Sequence, residues 1–374
     1  MKVAQIVPSL EARHGGPSRS VRGLAEGLSR LGENIELLTT GKGVADSRSP
    51  EDAAPVVHTF LRQRPEVLAR SESLHRHLLS REFDIVHNHG LWLRPLHYAN
   101  KAARKSGIPL IISPRGMMSP WAWGHRRWKK RLAAWFVHPG AFQAARGWHA
   151  TAEAEARDIR NLGFRQPICV APNGVTPPVP TEETTARLAW LELLPELAGR
   201  RVALFYSRFH SKKRVLELID LWLSKPRADW LLLVAGIPEE YSVNQLKSHI
   251  VRNGGGDRVL VRDGQGLPPP YAVASLFLLP SHSENFGLVI AEALVRGVPV
   301  LTTDTTPWRQ LAEHGAGRCV PWEDYATELD ALLTNSECAL AASGDRARTW
   351  ATATFSWETT ASILSDFYRH IAAD

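Results

Sequence analysis

A pair of carboxylates, Glu284 and Glu292, sits in the segment Ser281-His-Ser-Glu-Asn-Phe-Gly-Leu-Val-Ile-Ala-Glu292. The apolar run Leu276 to Pro280 reads as a strand leading into it, and Leu288 to Val295 reads as a helix leading out. Such strand-to-helix loops are where α/β sheets bind ligands. Unpaired amides at the helix start, together with the positive end of its dipole, let Asn285, Phe286, Gly287 and Leu288 hold a diphosphate or a sugar attached to one. Gly287 permits close backbone approach. Glu284, just before the helix, suits sugar hydroxyls, at about 1.5 to 3 kcal/mol per charge-assisted bond; the plainer reading is a carboxylate stabilising a helix N-terminus. Glu292 lies among Val289, Ile290, Ala291, Ala293, Leu294 and Val295, apolar on every side, which marks a buried helix. A carboxylate there needs hydrogen-bond donors. The two hydroxyls of a ribose would supply them, and so would a neighbouring arginine.

Cations follow a second strand and open a second helix in Val202-Ala-Leu-Phe-Tyr-Ser-Arg208-Phe-His-Ser-Lys-Lys213-Arg214. Arg208 and Lys213 are placed to neutralise a departing diphosphate as its charge develops. One of Lys212, Lys213 and Arg214 is expected to be a solvated loop charge.

In the first half, Gly15 and Gly16 follow the strand Val3 to Val7 and precede a helix starting near Ser18. Their backbone suits either a phosphate or acceptor contact, or an ordinary turn. His87 and His89 end another strand, and their alternate spacing points them to one face. Two imidazoles invite a metal, but no third ligand stands out, so His89 is assigned to an acceptor cleft. The stretch Trp121 to Phe136 alternates tryptophans with basic residues. As a helix it places Trp128, Leu132 and Trp135 on one face, flanked by Arg127, Lys130 and Arg131. Either this face lies on an anionic membrane surface or the tryptophans pack on the first domain.

These groups need elements to position them. Short apolar runs alternate with helical stretches, the pattern of a parallel α/β sheet. Expected strands are 3–7, 35–39, 84–87, 110–113, 168–171, 202–206, 230–235, 259–262, 276–279 and 298–302, enough for two sheets. The prolines and Asn-Gly of 172–180 mark a junction. The expected division is a first domain 1–171, a linker 172–180, a second domain 181–356 and a C-terminal helix 357–374 that packs back on the first. A chain of 374 residues, 44% hydrophobic, is too long for one core and too apolar for disorder. Three cysteines without a C-x-x-C pair suggest neither a disulfide framework nor a zinc site, and fit a cytoplasmic setting. The net charge of +7 suits phosphorylated substrates, an anionic membrane or nucleic acid alike. No apolar run is long enough to span a bilayer.

Taken in order, His14-Gly-Gly-Pro-Ser-Arg19, Pro172-Asn-Gly-Val175, Ser207-Arg208-Phe-His-Ser-Lys-Lys213, Pro280-Ser-x-x-Glu284-Asn-Phe-Gly-Leu-x-x-x-Glu292 and Gly297-Val-Pro-Val-Leu-Thr-Thr303 resemble the large family 4 of retaining GT-B glycosyltransferases. The resemblance spans nearly the whole chain. It implies an α/β GT-B fold, with two Rossmann-like domains whose parallel sheets face a central cleft. It further implies that Arg208 and Lys213 bind the donor diphosphate, Glu284 the sugar and Glu292 the ribose, while Gly15 and Gly16 let a loop approach the donor. No cofactor and no obligatory metal are implied. Many relatives carry a histidine after the next first-domain strand, where this chain reads Ile-Ile-Ser113-Pro-Arg115-Gly, so Arg115 is expected to take its place. The expected activity moves a sugar, with retention, from a nucleoside-diphosphate sugar to a saccharide acceptor. That acceptor is expected to be lipid-linked, in surface polysaccharide assembly, with the protein in the cytoplasm or at the inner face of the cell membrane. A GT-B nucleotide-sugar epimerase is the alternative. A basic lipid- or nucleic-acid-binding module leaves Glu292 without a purpose, so nucleic acid is not an expected partner.

Overall fold

The computed structural model describes the chain except residues 12–15, 43–44, 48–53, 125–132, 228 and 374. It forms two compact units, Met1–Gly174 with Phe355–Asp374, and Val175–Thr354. In the first, the strands are β1 (Lys2–Val7), β2 (Asn34–Gly41), β3 (Ala45–Ser47), β4 (Val56–Leu61), β5 (Ile85–His89), β6 (Leu110–Ser113), β7 (Gly147–Ala150) and β8 (Ile168–Val170). In the second they are β9 (Arg201–Phe209), β10 (Trp230–Pro238), β11 (Val259–Asp263), β12 (Leu276–Leu279), β13 (Val300–Thr303) and β14 (Gly317–Val320). The helices that matter below are α1 (Gly16–Arg30), α2 (Glu72–Ser80), α3 (Arg94–Ser106), α4 (Glu153–Asn161), α5 (Val215–Leu223), α6 (Leu288–Val295) and α7 (Trp357–Ala373).

The first sheet runs β3-β4-β2-β1-β5-β6-β7-β8 and is parallel except where β3 meets β4. Alternation along β1 divides its core: Val3 and Val7 join α1 and α7 on one face, Ala4 and Ile6 join α2, α3 and α4 on the other. The second sheet runs β11-β10-β9-β12-β13-β14, all parallel. Strand order reverses between β1 and β5 in one sheet and between β9 and β12 in the other. Crevices at the carboxyl ends of such strand pairs are the natural ligand sites of open parallel sheets.

All ten expected strands are present, several longer than their apolar runs. Four others, β3, β4, β7 and β14, carried too little signal; β7 is Gly-Trp-His-Ala and β14 Gly-Arg-Cys-Val. Helix α7 docks on α1 within the first unit. The Trp357 indole lies where a Cβ on Gly23 would come within 2.3 Å of it and one on Gly174 within 2.5 Å. Only glycine at both positions admits that ring.

Candidate functional site

In the second unit, β12 ends in the loop 280–287 and passes into α6 through Gly287, held at φ 80° and ψ 61°. A Cβ at Gly287 would crowd Ile290 Cδ1 at 3.3 Å, so the left-handed turn needs glycine here. Beside it, β9 ends in the 3-10 turn Ser211–Lys213, which His210 caps by accepting from the Lys212 amide at 2.9 Å. The His282 amide donates to the Lys212 carbonyl at 2.8 Å, tying the two loops together. That tie brings Lys213 to Glu284: its ammonium donates to Oε1, which also accepts from Ser281 Oγ at 2.6 Å. Both side chains are buried. Burial pushes the Glu284 carboxyl up, but Lys213, Ser281 and Lys212 together leave it below its ordinary value. The Ser281 carbonyl is itself fixed by Thr303 and Thr305 hydroxyls, each at 2.6 Å.

Lys212 is not a solvated loop charge. It is half-buried, and burial together with Lys213 and Arg208 lowers its pKa against the pull of Glu284. Arg208 is more open than expected of a phosphate clamp, at 44% side-chain exposure, and pairs with Glu239 at 2.9 Å. Arg214 Nε donates to His282 at 3.2 Å, with its guanidinium over Trp322.

Phe286 is buried against Trp308, whose indole N–H donates to the Phe286 carbonyl at 2.5 Å. Asn285 and Leu288 flank it on either side of Gly287. Glu292 is buried as expected, and its donor is one that sequence reasoning missed. The Tyr271 hydroxyl lies 2.9 Å from Oε2, and Tyr206 stands edge-on to Tyr271. Tyr271 belongs to a short 3-10 turn well upstream of α6, with no local pattern linking it to that helix. The neighbouring Arg296 donates to the backbone carbonyl of Glu292 and pairs its Nε with Glu183.

In the first unit, the polar groups lie on the α1 and α7 face at the carboxyl ends of β1, β5, β6 and β7. His89 is 1% exposed, and both its ring nitrogens are engaged, Nε2 with Gln5 Oε1 at 3.0 Å and Nδ1 with Arg115 at 3.0 Å. Arg115 also donates to Asn173 Oδ1 at 2.7 Å. Its backbone is left-handed at φ 55°, and the next amide, Gly116, is held by Glu155 at 2.5 Å. Burial lowers the Arg115 guanidinium to about 10, against the pull of Glu155, so it stays cationic at neutral pH.

His149, invisible as a partner in the sequence, supplies a third imidazole beside His87 and His89. All six ring nitrogens of this trio already have protein partners. A metal ion would have to break several of those bonds. Of the glycine pair, Gly16 is the first residue of α1, and Gly15 lies outside the described residues. Trp128, Leu132, Arg127, Lys130 and Arg131 also lie outside them. Trp135 and Phe136 are exposed, at 78% and 69%. Among the described residues no helix is long and apolar enough to cross a membrane.

Two Rossmann-like units, one presenting a cation-ringed carboxylate at its strand-order reversal and the other a half-buried arginine near its own, make a protein of the GT-B class by fold. The chain belongs to the GT-B glycosyltransferases of family 4. Residues 15–174 match the glycosyl transferase 4-like domain, and residues 193–350 match the glycosyl transferases group 1 family. A D-inositol 3-phosphate glycosyltransferase from Xylanimonas cellulosilytica is 32% identical over 59% of this chain and 55% of its own length. The match thus spans about half of that relative. A GDP-mannose:cellobiosyl-diphosphopolyprenol alpha-mannosyltransferase from Komagataeibacter xylinus is 24% identical over 99% of this chain and 93% of its own. The fold is shared with the Anabaena protein HepE in complex with UDP and glucose, at 19% identity and a TM-score of 0.75 over 99% of this chain and 100% of that one.

Proposed function

We propose that this protein transfers a sugar, with retention of configuration, from a nucleoside-diphosphate sugar to a saccharide acceptor, without an obligatory metal. The observation that carries this reading is Glu284, fixed between Lys213 and Ser281 with Lys212 and Arg208 adding positive charge nearby. The carboxylate suits the hydroxyls of the transferred sugar, and the cations suit the departing diphosphate, which most needs electrostatic stabilisation as its bond breaks. Glu292, oriented by Tyr271, suits the ribose. Charge neutralised by lysine and arginine leaves a metal nothing essential to do in this step. Retention follows if the acceptor attacks the face that the phosphate leaves, the phosphate oxygen taking the acceptor proton.

A lipid-linked acceptor in surface polysaccharide assembly is supported by the diphosphopolyprenol named for the Komagataeibacter relative. The exposed Trp135 and Phe136, next to the basic run 126–131, suit binding to the inner face of an anionic membrane.

A thermal-shift screen against a panel of nucleotide sugars tests the donor, since a true donor raises the melting temperature by mass action. Transfer by wild type, Glu284→Gln and Lys213→Ala is then followed with the stabilising donor, and the product anomer is read by NMR. The same donor incubated alone separates transfer from isomerisation. Wild-type rates in both variants, or no stabilisation by any nucleotide sugar, would remove the proposal.

A further inference from the structure

We infer that Tyr368 of α7 is a positioning residue, which sets the orientation of Arg115 through a chain of hydrogen bonds that runs in one direction only. The use of Arg115 toward an acceptor rests on the function proposed above. The chain itself does not.

Its far end fixes the direction. The Ala171 carbonyl can only accept, so His149 Nε2, 3.0 Å away, carries the proton and its Nδ1 is an acceptor. Ser113 Oγ, 2.7 Å from that Nδ1, must then donate its one proton there. Ser113 in turn accepts from His87 Nε2 at 2.7 Å, which leaves His87 Nδ1 to accept from the Tyr368 hydroxyl at 2.6 Å. The single phenolic proton is now spent, so Tyr368 accepts from Gln5 Nε2 at 3.1 Å. With its amide so turned, Gln5 presents Oε1 to His89 Nε2, which must carry the proton. His89 Nδ1 is then a lone pair, and it accepts from Arg115. The second terminal nitrogen of Arg115 goes to Asn173.

Every link is forced by the one after it, and all three imidazoles come out as neutral Nε2–H tautomers. Burial, the largest influence on each, favours the same neutral state. Tyr368 stands at the pivot. Without its hydroxyl, Gln5 Nε2 loses its acceptor, and only the Arg115 N–H, which also calls for a lone pair at His89 Nδ1, still opposes a flip that turns the amide to donate to His89 Nε2. The ring proton then moves to Nδ1 and faces the Arg115 N–H, two donors opposed. Arg115, on a left-handed backbone at φ 55°, loses one of the two side-chain partners that aim it. The C-terminal helix therefore does more than complete a core: through one hydroxyl it sets a tautomer that in turn holds a cation.

The test is tautomer-resolved NMR on the full chain with 15N-labelled histidine, with no ligand added. Wild type is expected to show His87, His89 and His149 as Nε2–H, and Tyr368→Phe to give His89 a mixture of tautomers. With whichever nucleotide sugar stabilises the protein, kcat of the variant should fall about tenfold with donor KM unchanged. Gln5→Met, which cuts the chain on the other side of the same link, should behave alike and serves if Tyr368→Phe fails to fold. An Nδ1–H tautomer at His89 in wild type overturns the inference. So does a variant that loses stability but keeps both the His89 tautomer and kcat, the result of a merely structural role. Because the NMR arm uses no substrate, its failure is distinct from a panel in which no nucleotide sugar binds.

Discussion

The Lys213 ammonium bonds the Glu284 carboxylate at the reversal between β9 and β12, their side chains 9% and 10% exposed. Removing one partner of such a pair strands the other. Lys213→Ala is expected to cost about 3 kcal/mol of stability, near the lower end of the range for an uncompensated buried charge, and to lower transfer more than a hundredfold. Combining it with Glu284→Gln removes the stranded charge, so stability should return while activity does not. Urea unfolding of the single and double variants checks the first part, and turnover the second. A single variant as stable as wild type would show that the pair is not buried in solution.

The bond from Tyr271 to Glu292 separates binding from chemistry. Tyr271→Phe keeps the ring against Phe277 and Tyr206 but takes a donor from a buried carboxylate, at a cost of about 1 to 3 kcal/mol. If Glu292 holds the ribose, donor KM should rise several-fold with kcat nearly constant. Steady-state kinetics over a donor series reads this directly. An unchanged KM in a destabilised variant would confine Tyr271 and Glu292 to the core.

The placement of Glu284 and Glu292 was legible because its determinants are local. A strand, a glycine and a helix sit consecutively around Glu284, and an all-apolar helix announces that Glu292 is buried. What sequence could not show is who meets whom across long separations. Tyr271 reaches Glu292, and Tyr368 reaches His87 and Gln5, through tertiary packing alone. His89, placed by its spacing in an acceptor cleft, turns out enclosed, its ring nitrogens taken by Gln5 and Arg115, on the same face of β5 as His87, which meets Tyr368 of α7. Arg208 was assigned from its position after the expected strand 202–206 and lies within the longer β9, yet exposure depends on what packs over a strand end, which no local pattern encodes. The missed strands fail for a related reason: β7 is stabilised by its neighbours β6 and β8 rather than by its own composition.

Docking of α7 on α1 depends on an absent side chain. Gly23→Ala would put a methyl 2.3 Å from the Trp357 indole, and the ring has Gly174 close on it as well. The expected loss is about 1 to 3 kcal/mol, the usual cost of overpacking. Adding Trp357→Ala should make the Gly23→Ala substitution nearly neutral, though that background is itself less stable. A double-mutant cycle in urea gives the coupling energy. Additive effects would mean that the indole does not occupy this groove.

The trio His87, His89 and His149 should make the first unit sensitive to mild acid. Burial lowers all three, His149 to about 3 and the other two well below their ordinary value. Below pH 6.5 the unfolded chain takes up protons at these positions that the folded chain refuses, so stability falls as pH falls. Each histidine contributes about 1.4 kcal/mol per pH unit in that window, and the trio together about 4 kcal/mol between pH 7.5 and 5.5. Most carboxylates act lower down, but Asp158, raised to about 6 chiefly by burial, takes up a proton in the folded chain within this window and opposes the histidine slope. Glu36, held at about 2 chiefly by its bond to His77, gives up its contribution only as pH falls from about 4.5 toward 2. His97 and His138, each lowered to about 4 chiefly by burial, add to the slope of unfolding free energy between pH 7.5 and 5.5, so the trio's share is read by difference: His149→Gln should reduce the slope by about one proton. An unchanged slope in His149→Gln would mean that this imidazole is charged in the folded protein, and the one-way chain through Tyr368 would lose its neutral tautomer there.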